Sequence, residues 1–133
     1  METINGCTMV RASEVPEPVD LGPAEIGGAY GLVVGSIPAG QPAPPFHVHP
    51  HTDEAFHVAR GELTLLLGDR EVRAGAGDLV LIPRGTPHTA WNSGDGAMLG
   101  LIVISPGDAE HVFEPVEGGA PPPSGDDPTG AKR

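Results

Sequence analysis

Histidine is concentrated in one short stretch of the chain. Four of the six histidines, His47, His49, His51 and His57, lie within the segment PPFHVHPHTDEAFHVARGEL. Side chains at positions i and i+2 of a strand point to the same face, so His47 and His49 present two imidazoles side by side. Glu54 opens the next strand after a proline-bounded turn. Two imidazoles and a carboxylate on adjacent strands suit a divalent first-row metal ion. A third imidazole, His88, follows in the separate segment GDLVLIPRGTPHTAWN.

Short strands joined by tight turns are the elements that must position these side chains. The chain contains 20 Gly and 16 Pro, which are too many for a helical bundle because both residues are poor inside helices. The apolar residues recur with a period of two, which is typical of strands. We predict eight strands, at residues 30–37, 46–49, 54–59, 62–67, 70–74, 78–83, 86–92 and 98–105. Their spacing indicates an all-β sandwich or barrel.

The chain of 133 residues is long enough for one domain. We predict an extended N-terminal arm over residues 1–22, a β-barrel domain over 23–117, and a disordered Gly/Pro-rich tail over 118–133. The tail has no large apolar side chain, so it cannot bury enough surface to offset the entropy cost of ordering. A single helical turn is expected around residues 108–113.

Charge, hydropathy and cysteine content limit the partners and the cellular compartment that we expect for the chain. The chain has 7 Lys+Arg against 18 Asp+Glu and a net charge of -11, which disfavours nucleic acid and anionic membrane surfaces. No apolar run approaches the ~20 residues of a membrane helix. The N-terminal segment lacks the basic end and apolar stretch of a signal peptide, so we expect a cytoplasmic protein. The single cysteine, Cys7, is expected to be a free thiol, consistent with a reducing compartment.

Together, the two histidine-containing segments resemble the cupin superfamily. The first cupin motif, H-x-H-x4-E-x6-G, is met by His47, His49, Glu54 and Gly61, with Gly40 as its opening glycine. The second, G-x5-P-x-G-x2-H-x3-N, is met by Gly77, Pro83, Gly85, His88 and Asn92. The resemblance covers about residues 28–117. It implies a single-domain cupin, a conical jelly-roll barrel of about eight antiparallel strands.

By this resemblance the metal ligands are His47, His49, Glu54 and His88, and they hold one divalent ion. Within the superfamily, the chain is most similar to small bacterial proteins that resemble quercetin dioxygenases. That similarity implies oxidation of an enolic or phenolic substrate, aromatic or polyketide-like, on Fe, Mn, Ni or Co. Glu54 is then expected to be catalytic as well, because a carboxylate near a metal can accept the enolic proton.

Two other functions remain open from the sequence. Similar single-domain cupins act as polyketide cyclases or isomerases, in which a metal such as zinc polarises a carbonyl without oxygen chemistry. Dependence on dioxygen separates that function from a dioxygenase. The third function is a non-catalytic cupin that binds or senses a small molecule, because fold alone does not fix chemistry.

Several residues near the motifs are expected to lie outside the ligand set. His51 offers the rival pair His49 and His51, but its position in a turn favours a solvated group or one that supports the ligands. Other side chains are expected to face solvent or to pack outside the barrel interior: Asp53, His57, Trp91 and His111.

Strand alternation suggests which residues line a pocket. The candidate walls are Tyr30, Leu32 or Val34, Phe46, Phe56, Leu65 and Met98. Such an apolar lining favours a flat aromatic or polyketide-like substrate over a sugar phosphate. Arg60, Arg73 and Arg84 lie near turns and are not assigned to an anion. A homodimer is expected, because similar small cupins pair and because an exposed strand edge invites pairing.

Overall fold

Twelve β-strands make up the part of the chain that the computed structural model describes, namely residues 2–11, 19–21, 28–106 and 114–116. The strands are β1 (Glu2–Ile4), β2 (Cys7–Met9), β3 (Val19–Leu21), β4 (Gly31–Ile37), β5 (His47–Val48), β6 (Asp53–Arg60), β7 (Glu62–Leu67), β8 (Arg70–Gly75), β9 (Leu79–Ile82), β10 (His88–Asn92), β11 (Met98–Ser105) and β12 (Glu114–Pro115). These residues include no helix, and therefore no helix long and apolar enough to cross a membrane.

Ten of the strands form two antiparallel five-stranded sheets. The first sheet has the order β12-β5-β10-β7-β8, and the second has the order β3-β4-β11-β6-β9. From β4 to β7 successive strands alternate between the two sheets, and β9, β10 and β11 do so again. This repeated crossing places the inner faces of the two sheets against each other, which is the architecture of a jelly roll.

The core lies between these inner faces. Its most buried members come from both sheets: Val58, Leu63, Leu65, Ala74, Ile82 and Met98. Leu63 and Leu65 of β7 have exposed fractions of 1% and 0%, so truncating either to Ala should cost about 2–5 kcal/mol of stability. Thr64, which lies between them, points to the opposite face and is also fully buried.

The eight predicted strands correspond to β4 through β11. The predictions for 62–67 and 98–105 have the same bounds as β7 and β11, and the others differ by one or two residues at their ends. β3 and β12 were not predicted; each is only two or three residues long and adds to a sheet edge.

An N-terminal hairpin was also missed. β1 pairs with β2 across Asn5 and Gly6, which have positive φ values of 49° and 80°. Asn-Gly favours the two-residue hairpin turn because both positions must adopt positive φ. The rest of the predicted arm beyond residues 2–11 and 19–21, the predicted turn at 108–113 and the tail at 118–133 lie outside the described residues.

Gly61 of the first motif closes the hairpin between β6 and β7. Its φ is 85°, and a Cβ atom there would lie 2.9 Å from the carbonyl oxygen of Ala97. The positive φ and the close backbone both disfavour a side chain at position 61, so the fold itself requires glycine there.

Candidate metal centre

Strand pairing brings the first two imidazoles of the site together. His47 on β5 is the direct partner of His88 on β10, so the two side chains share the inner face of the first sheet. Their ring centroids are 4.6 Å apart. His47 and His88 are 41 positions apart in the sequence, and the pairing of β5 with β10 brings the two motifs together.

His49 adds a third imidazole just beyond the end of β5. Its ring centroid lies 4.9 Å from that of His47 and 5.5 Å from that of His88. The ligand nitrogens of the three rings all lie within 4.8 Å of one another. His49 and His88 are buried and His47 is half-buried, so the nitrogens converge inside the barrel.

Backbone carbonyls define the tautomer of two of these rings. His47 Nδ1 lies 2.6 Å from the carbonyl oxygen of Pro45, and His88 Nδ1 lies 2.9 Å from that of Thr86. A carbonyl can only accept, so each Nδ1 carries the hydrogen and donates it. The Nε2 atom of each neutral ring then keeps its lone pair, which is the form that ligates a metal.

Glu54 reaches the imidazoles from the opposite sheet. Glu54 is the first inward-facing residue of β6, and it pairs with Ile82 on β9 and Ile104 on β11. Its Oε1 atom lies 2.7 Å from His49 Nε2 and 3.5 Å from His88 Nε2. Even so, Oε1 is buried and has no hydrogen-bond partner.

These donors fit a divalent metal ion. A buried polar atom without a partner costs about 1–3 kcal/mol, and a bound cation would remove that cost for Glu54 Oε1. Three imidazole nitrogens and one carboxylate oxygen form a mixed N/O donor set that first-row divalent metals accept. The four residues predicted as ligands are therefore brought to one place, and their chemistry suits one ion.

The protonation of the imidazoles reflects their surroundings. Burial lowers the pKa of His47, and the neighbouring His88 and His49 rings lower it further, against the opposing effect of the Pro45 carbonyl. Burial also acts to lower the pKa of His88, but the Glu54 carboxylate and the Thr86 carbonyl outweigh it, and the pKa of His88 is raised. His47 is thus held neutral, as a ligand must be.

An apolar cavity of about 200 Å³ lies inside the barrel. Its walls include Val33, Gly35 and Ile37 on β4, Phe56 and Val58 on β6, and Met98, Gly100 and Ile102 on β11. Phe56 follows Glu54 by two positions on the same face of β6, so the cavity wall begins one inward-facing position beyond Glu54.

The pocket prediction was partly wrong. Phe56 and Met98 line the cavity, but Val33 lines it instead of its neighbours Leu32 and Val34. Three apolar residues in a row hide the period-two pattern, so the sequence could not show which of them faces inward. The remaining candidates do not line the cavity: Tyr30, which is exposed, Phe46, which is half-buried, and Leu65, which is in the core.

Other residues of interest lie away from the converging nitrogens. His51 is exposed and is not part of the imidazole cluster. His57 is exposed, and strand alternation directs it away from the face of Glu54. Trp91 is buried, but it pairs with Thr64 on the face opposite His88. His111 lies outside the described residues.

Asp53 and the three arginines are all exposed. The Asp53 carboxylate binds Arg84, whose hydrogen bonds lower the pKa of Asp53. Arg73 lies 3.9 Å from Glu62. Neither these arginines nor Arg60 line the cavity, and none of its lining residues is Asp, Glu, Lys or Arg.

The family of the chain follows from comparison with known proteins. The family description "Cupin domain" matches residues 33–109, which is more than half of the chain. The chain therefore belongs to the cupin family, and its fold is the all-β cupin jelly roll. No curated protein sequence matches it.

Solved structures with the same fold differ in their described activities. An uncharacterized conserved protein with a double-stranded β-helix domain from Klebsiella pneumoniae is 27% identical, with a TM-score of 0.62 over 84% of this chain and 90% of the other. A sugar phosphate isomerase from Silicibacter pomeroyi is 26% identical, with a TM-score of 0.59 over 66% and 57%. Oxalate decarboxylase from Bacillus subtilis, described with Mn(II) centres, is 19% identical, with a TM-score of 0.59 over 73% and 27%.

Proposed function

We propose that this chain is a metal-dependent cupin enzyme, a dioxygenase that acts on an enolic or phenolic small molecule. The observation that carries the proposal is Glu54. Its buried Oε1 has no hydrogen bond and lies close to the imidazoles of His49 and His88. Glu54 also precedes Phe56, a residue of the apolar cavity wall, by two positions on the same face of β6. Buried polar atoms are nearly always hydrogen-bonded, so a carboxylate oxygen left without a hydrogen bond beside imidazoles supports a role for Glu54 at a bound cation.

The metal would be held by the Nε2 atoms of His47 and His88, by His49 and by Glu54. Three neutral imidazoles and one carboxylate leave a divalent ion with a net charge of about +1, which favours an anionic oxygen donor such as an enolate or phenolate. When bound, Fe, Mn, Ni or Co would supply Lewis acidity to that oxygen and electron exchange with dioxygen. The Mn(II) centres described for oxalate decarboxylase support an ion of this group.

Glu54 would also accept the proton that an enol or phenol loses on binding. Its carboxylate is buried beside the imidazoles that would hold the ion, within reach of an oxygen bound there. Both oxygen atoms of dioxygen would enter the substrate, so the reaction needs no further oxidant or reductant.

The cavity supports a compact apolar substrate. Its walls are Val, Ile, Phe, Met, Leu and Gly together with Ser36 and His57, and no Asp, Glu, Lys or Arg of the described residues lines it. A phosphate group would find no arginine or lysine there to bind it. The proposed substrate therefore differs from that of the Silicibacter pomeroyi sugar phosphate isomerase, although the fold is shared.

Oxygen consumption tests this function directly. Protein loaded in turn with Mn²⁺, Fe²⁺, Co²⁺ or Ni²⁺ is mixed with a flavonol or with acetylacetone in an oxygen electrode. We expect uptake that requires metal and is lost in Glu54→Gln, whereas the exposed carboxylate variant Glu71→Gln keeps it. Full activity of Glu54→Gln would show that the proton goes elsewhere.

The zinc-dependent cyclase or isomerase is the second candidate, because a buried carboxylate beside a cation serves proton transfer equally well without dioxygen. The same assay under argon distinguishes it. Product formed by the zinc-loaded protein without dioxygen would replace the dioxygenase proposal, and ligand binding without turnover in either gas would indicate a binding cupin.

We also propose that two copies pair through the outer face of the second sheet. Leu79 and Leu81 of β9 are 59% and 69% exposed. Strand register places each of these leucines in a row of paired residues that runs across the outer face of the sheet. The first row is Leu79, His57, Leu101 and Val34. The second row is Leu81, Ala55, Val103 and Leu32. Neither row contains Asp, Glu, Lys or Arg, so in a chain of net charge -11 this face can approach a copy of itself with little repulsion.

Light scattering tests the pairing. We expect a mass near twice 13.6 kDa for the natural chain and near 13.6 kDa for Leu81→Glu. The control is Ile4→Glu, which changes an exposed apolar residue of the N-terminal hairpin and should stay dimeric. A natural chain that scatters as a single copy would contradict the proposal.

A further inference from the structure

An exposed ion pair connects the strand of one candidate ligand to the turn that precedes another. Asp53 stands immediately before Glu54, and its carboxylate accepts three hydrogen bonds from Arg84. The Arg84 backbone N–H donates to Oδ1 over 2.8 Å, Nε donates to the same oxygen over 3.1 Å, and Nη2 donates to Oδ2 over 3.1 Å. Both side chains are about half exposed.

The turn that Asp53 holds is attached at further points. The Gly85 N–H donates to the carbonyl of His49 over 2.9 Å, and the Gly68 N–H donates to the carbonyl of Pro87 over 2.8 Å. Gly85 has a φ of 80°, so the chain reverses sharply just after Arg84. Residues 83–87 are thus fixed by β6, by the segment after β5 and by the turn after β7.

The turn at residues 83–87 contains the Thr86 carbonyl, which orients the His88 ring. The Thr86 carbonyl accepts the Nδ1 hydrogen of His88, which directs Nε2 towards Glu54 Oε1. Because Asp53 and Glu54 are adjacent on β6, they point to opposite faces. Outside the barrel Asp53 holds the turn, and inside it Glu54 faces the imidazole that the turn presents.

We propose that Asp53 is a positioning residue for the metal centre: by binding Arg84 it fixes the turn whose Thr86 carbonyl orients His88 against Glu54. This inference rests on the proposed function, because it assumes that His88 and Glu54 bind one ion. An exposed ion pair by itself contributes little to stability. The ion pair between Asp53 and Arg84 acts here on the geometry of the site. Substitution of residues that support metal ligands typically lowers metal affinity by about 10–100-fold.

Titration of the metal-stripped protein with Co²⁺ tests this role. We expect Asp53→Ala to weaken Co²⁺ binding by about 10-fold or more and to change the visible absorption of bound Co²⁺. Arg84→Ala should have a smaller effect, because its backbone N–H still donates to Asp53. The matched control is Arg73→Ala, since Arg73 has the same 52% exposure as Arg84 but pairs with Glu62.

A second readout does not require metal. Nitrogen NMR of the imidazoles in the metal-free protein should show His88 as the Nδ1–H tautomer in the natural chain and as a tautomer mixture in Asp53→Ala. Wild-type Co²⁺ affinity, absorption and tautomer in Asp53→Ala would overturn the positioning role and leave the metal site standing. If the natural chain binds no Co²⁺, the proposed function fails, and the tautomer measurement then decides the role of Asp53 alone.

Discussion

The two ends of strand β10 place buried polar side chains in opposite situations. At one end Asn92 is fully bonded: its Nδ2 donates to the carbonyls of Ile37 and Gly96 over 2.8 Å each, and its Oδ1 accepts from the Gly94 N–H over 2.9 Å. At the other end His88 Nε2 lies 3.5 Å from Glu54 Oε1, which takes part in no hydrogen bond.

The same contrast extends to the neighbours of these residues. Next to Asn92, the Thr64 hydroxyl donates to Ser93, and Ser93 donates to Glu62 over 2.7 Å. The buried amide and hydroxyl groups there all take part in hydrogen bonds, so the Asn92 end is a structural polar network. Around His88, the buried Glu54 Oε1 has two imidazole nitrogens close by but no hydrogen bond, so a bound cation would stabilise the cluster. The difference between the two ends separates a structural polar cluster from a binding site.

The largest stability effect is expected at the Asn92 end. Asn92→Ala removes the three hydrogen bonds of a buried amide and leaves the Ile37 and Gly96 carbonyls and the Gly94 N–H without this partner, so we expect a loss of about 3 kcal/mol in the free energy of unfolding. Urea denaturation measures it. Metal affinity should not change, because the variant lies at the far end of β10. A loss below about 1 kcal/mol would show that this network is not the structural cluster inferred here.

A smaller effect of the same sign is expected from Thr64→Val. Valine has nearly the same shape but no hydroxyl, so the fully buried site loses the donor to Ser93. We expect the free energy of unfolding to fall by about 1–2 kcal/mol. The matched control is Thr8→Val, at an exposed threonine in the N-terminal hairpin, which should change stability by less than about 0.5 kcal/mol.

The opposite sign is expected at the Glu54 end. In the metal-free protein, Glu54→Gln replaces a buried carboxylate, whose Oε1 has no hydrogen bond, by a neutral amide that can donate to the imidazoles. We expect stability to rise by about 1 kcal/mol, measured by urea denaturation with chelator present. With Mn²⁺ added, the natural chain should become the more stable of the two. A loss of stability in the metal-free variant would contradict the view that Glu54 is unsatisfied.

Sequence reasoning located most of the barrel and the convergence of the site. β7 and β11 have strong apolar patterns bounded by turns, so their ends were predicted correctly. The His47, His49, Glu54 and His88 spacing matches the cupin motifs, and the pairing of His47 with His88 brings these side chains together. Local periodicity and motif spacing were enough for these features.

Other features depend on contacts that no local pattern reveals. The inward direction of β4 is set by its partner β11, because both of its faces are apolar. The bond between Asp53 and Arg84 joins residues 31 positions apart, and neither residue is part of a cupin motif. Asn92 matched a motif, but only the fold shows that its amide forms its hydrogen bonds at the end of β10 opposite the imidazole cluster. The N-terminal hairpin, in contrast, has a local signal: Asn5-Gly6 is a typical two-residue hairpin turn.

Metal binding by the natural chain tests the central claim most directly. Protein stripped with a chelator is titrated with Mn²⁺ in a calorimeter, beside a His47→Ala/His88→Ala double variant that is first shown to fold by its urea denaturation. The proposed site predicts one equivalent bound by the natural chain and none by the double variant. No binding by the natural chain, or undiminished binding by the double variant, would contradict the assignment of these histidines and Glu54 to a metal centre.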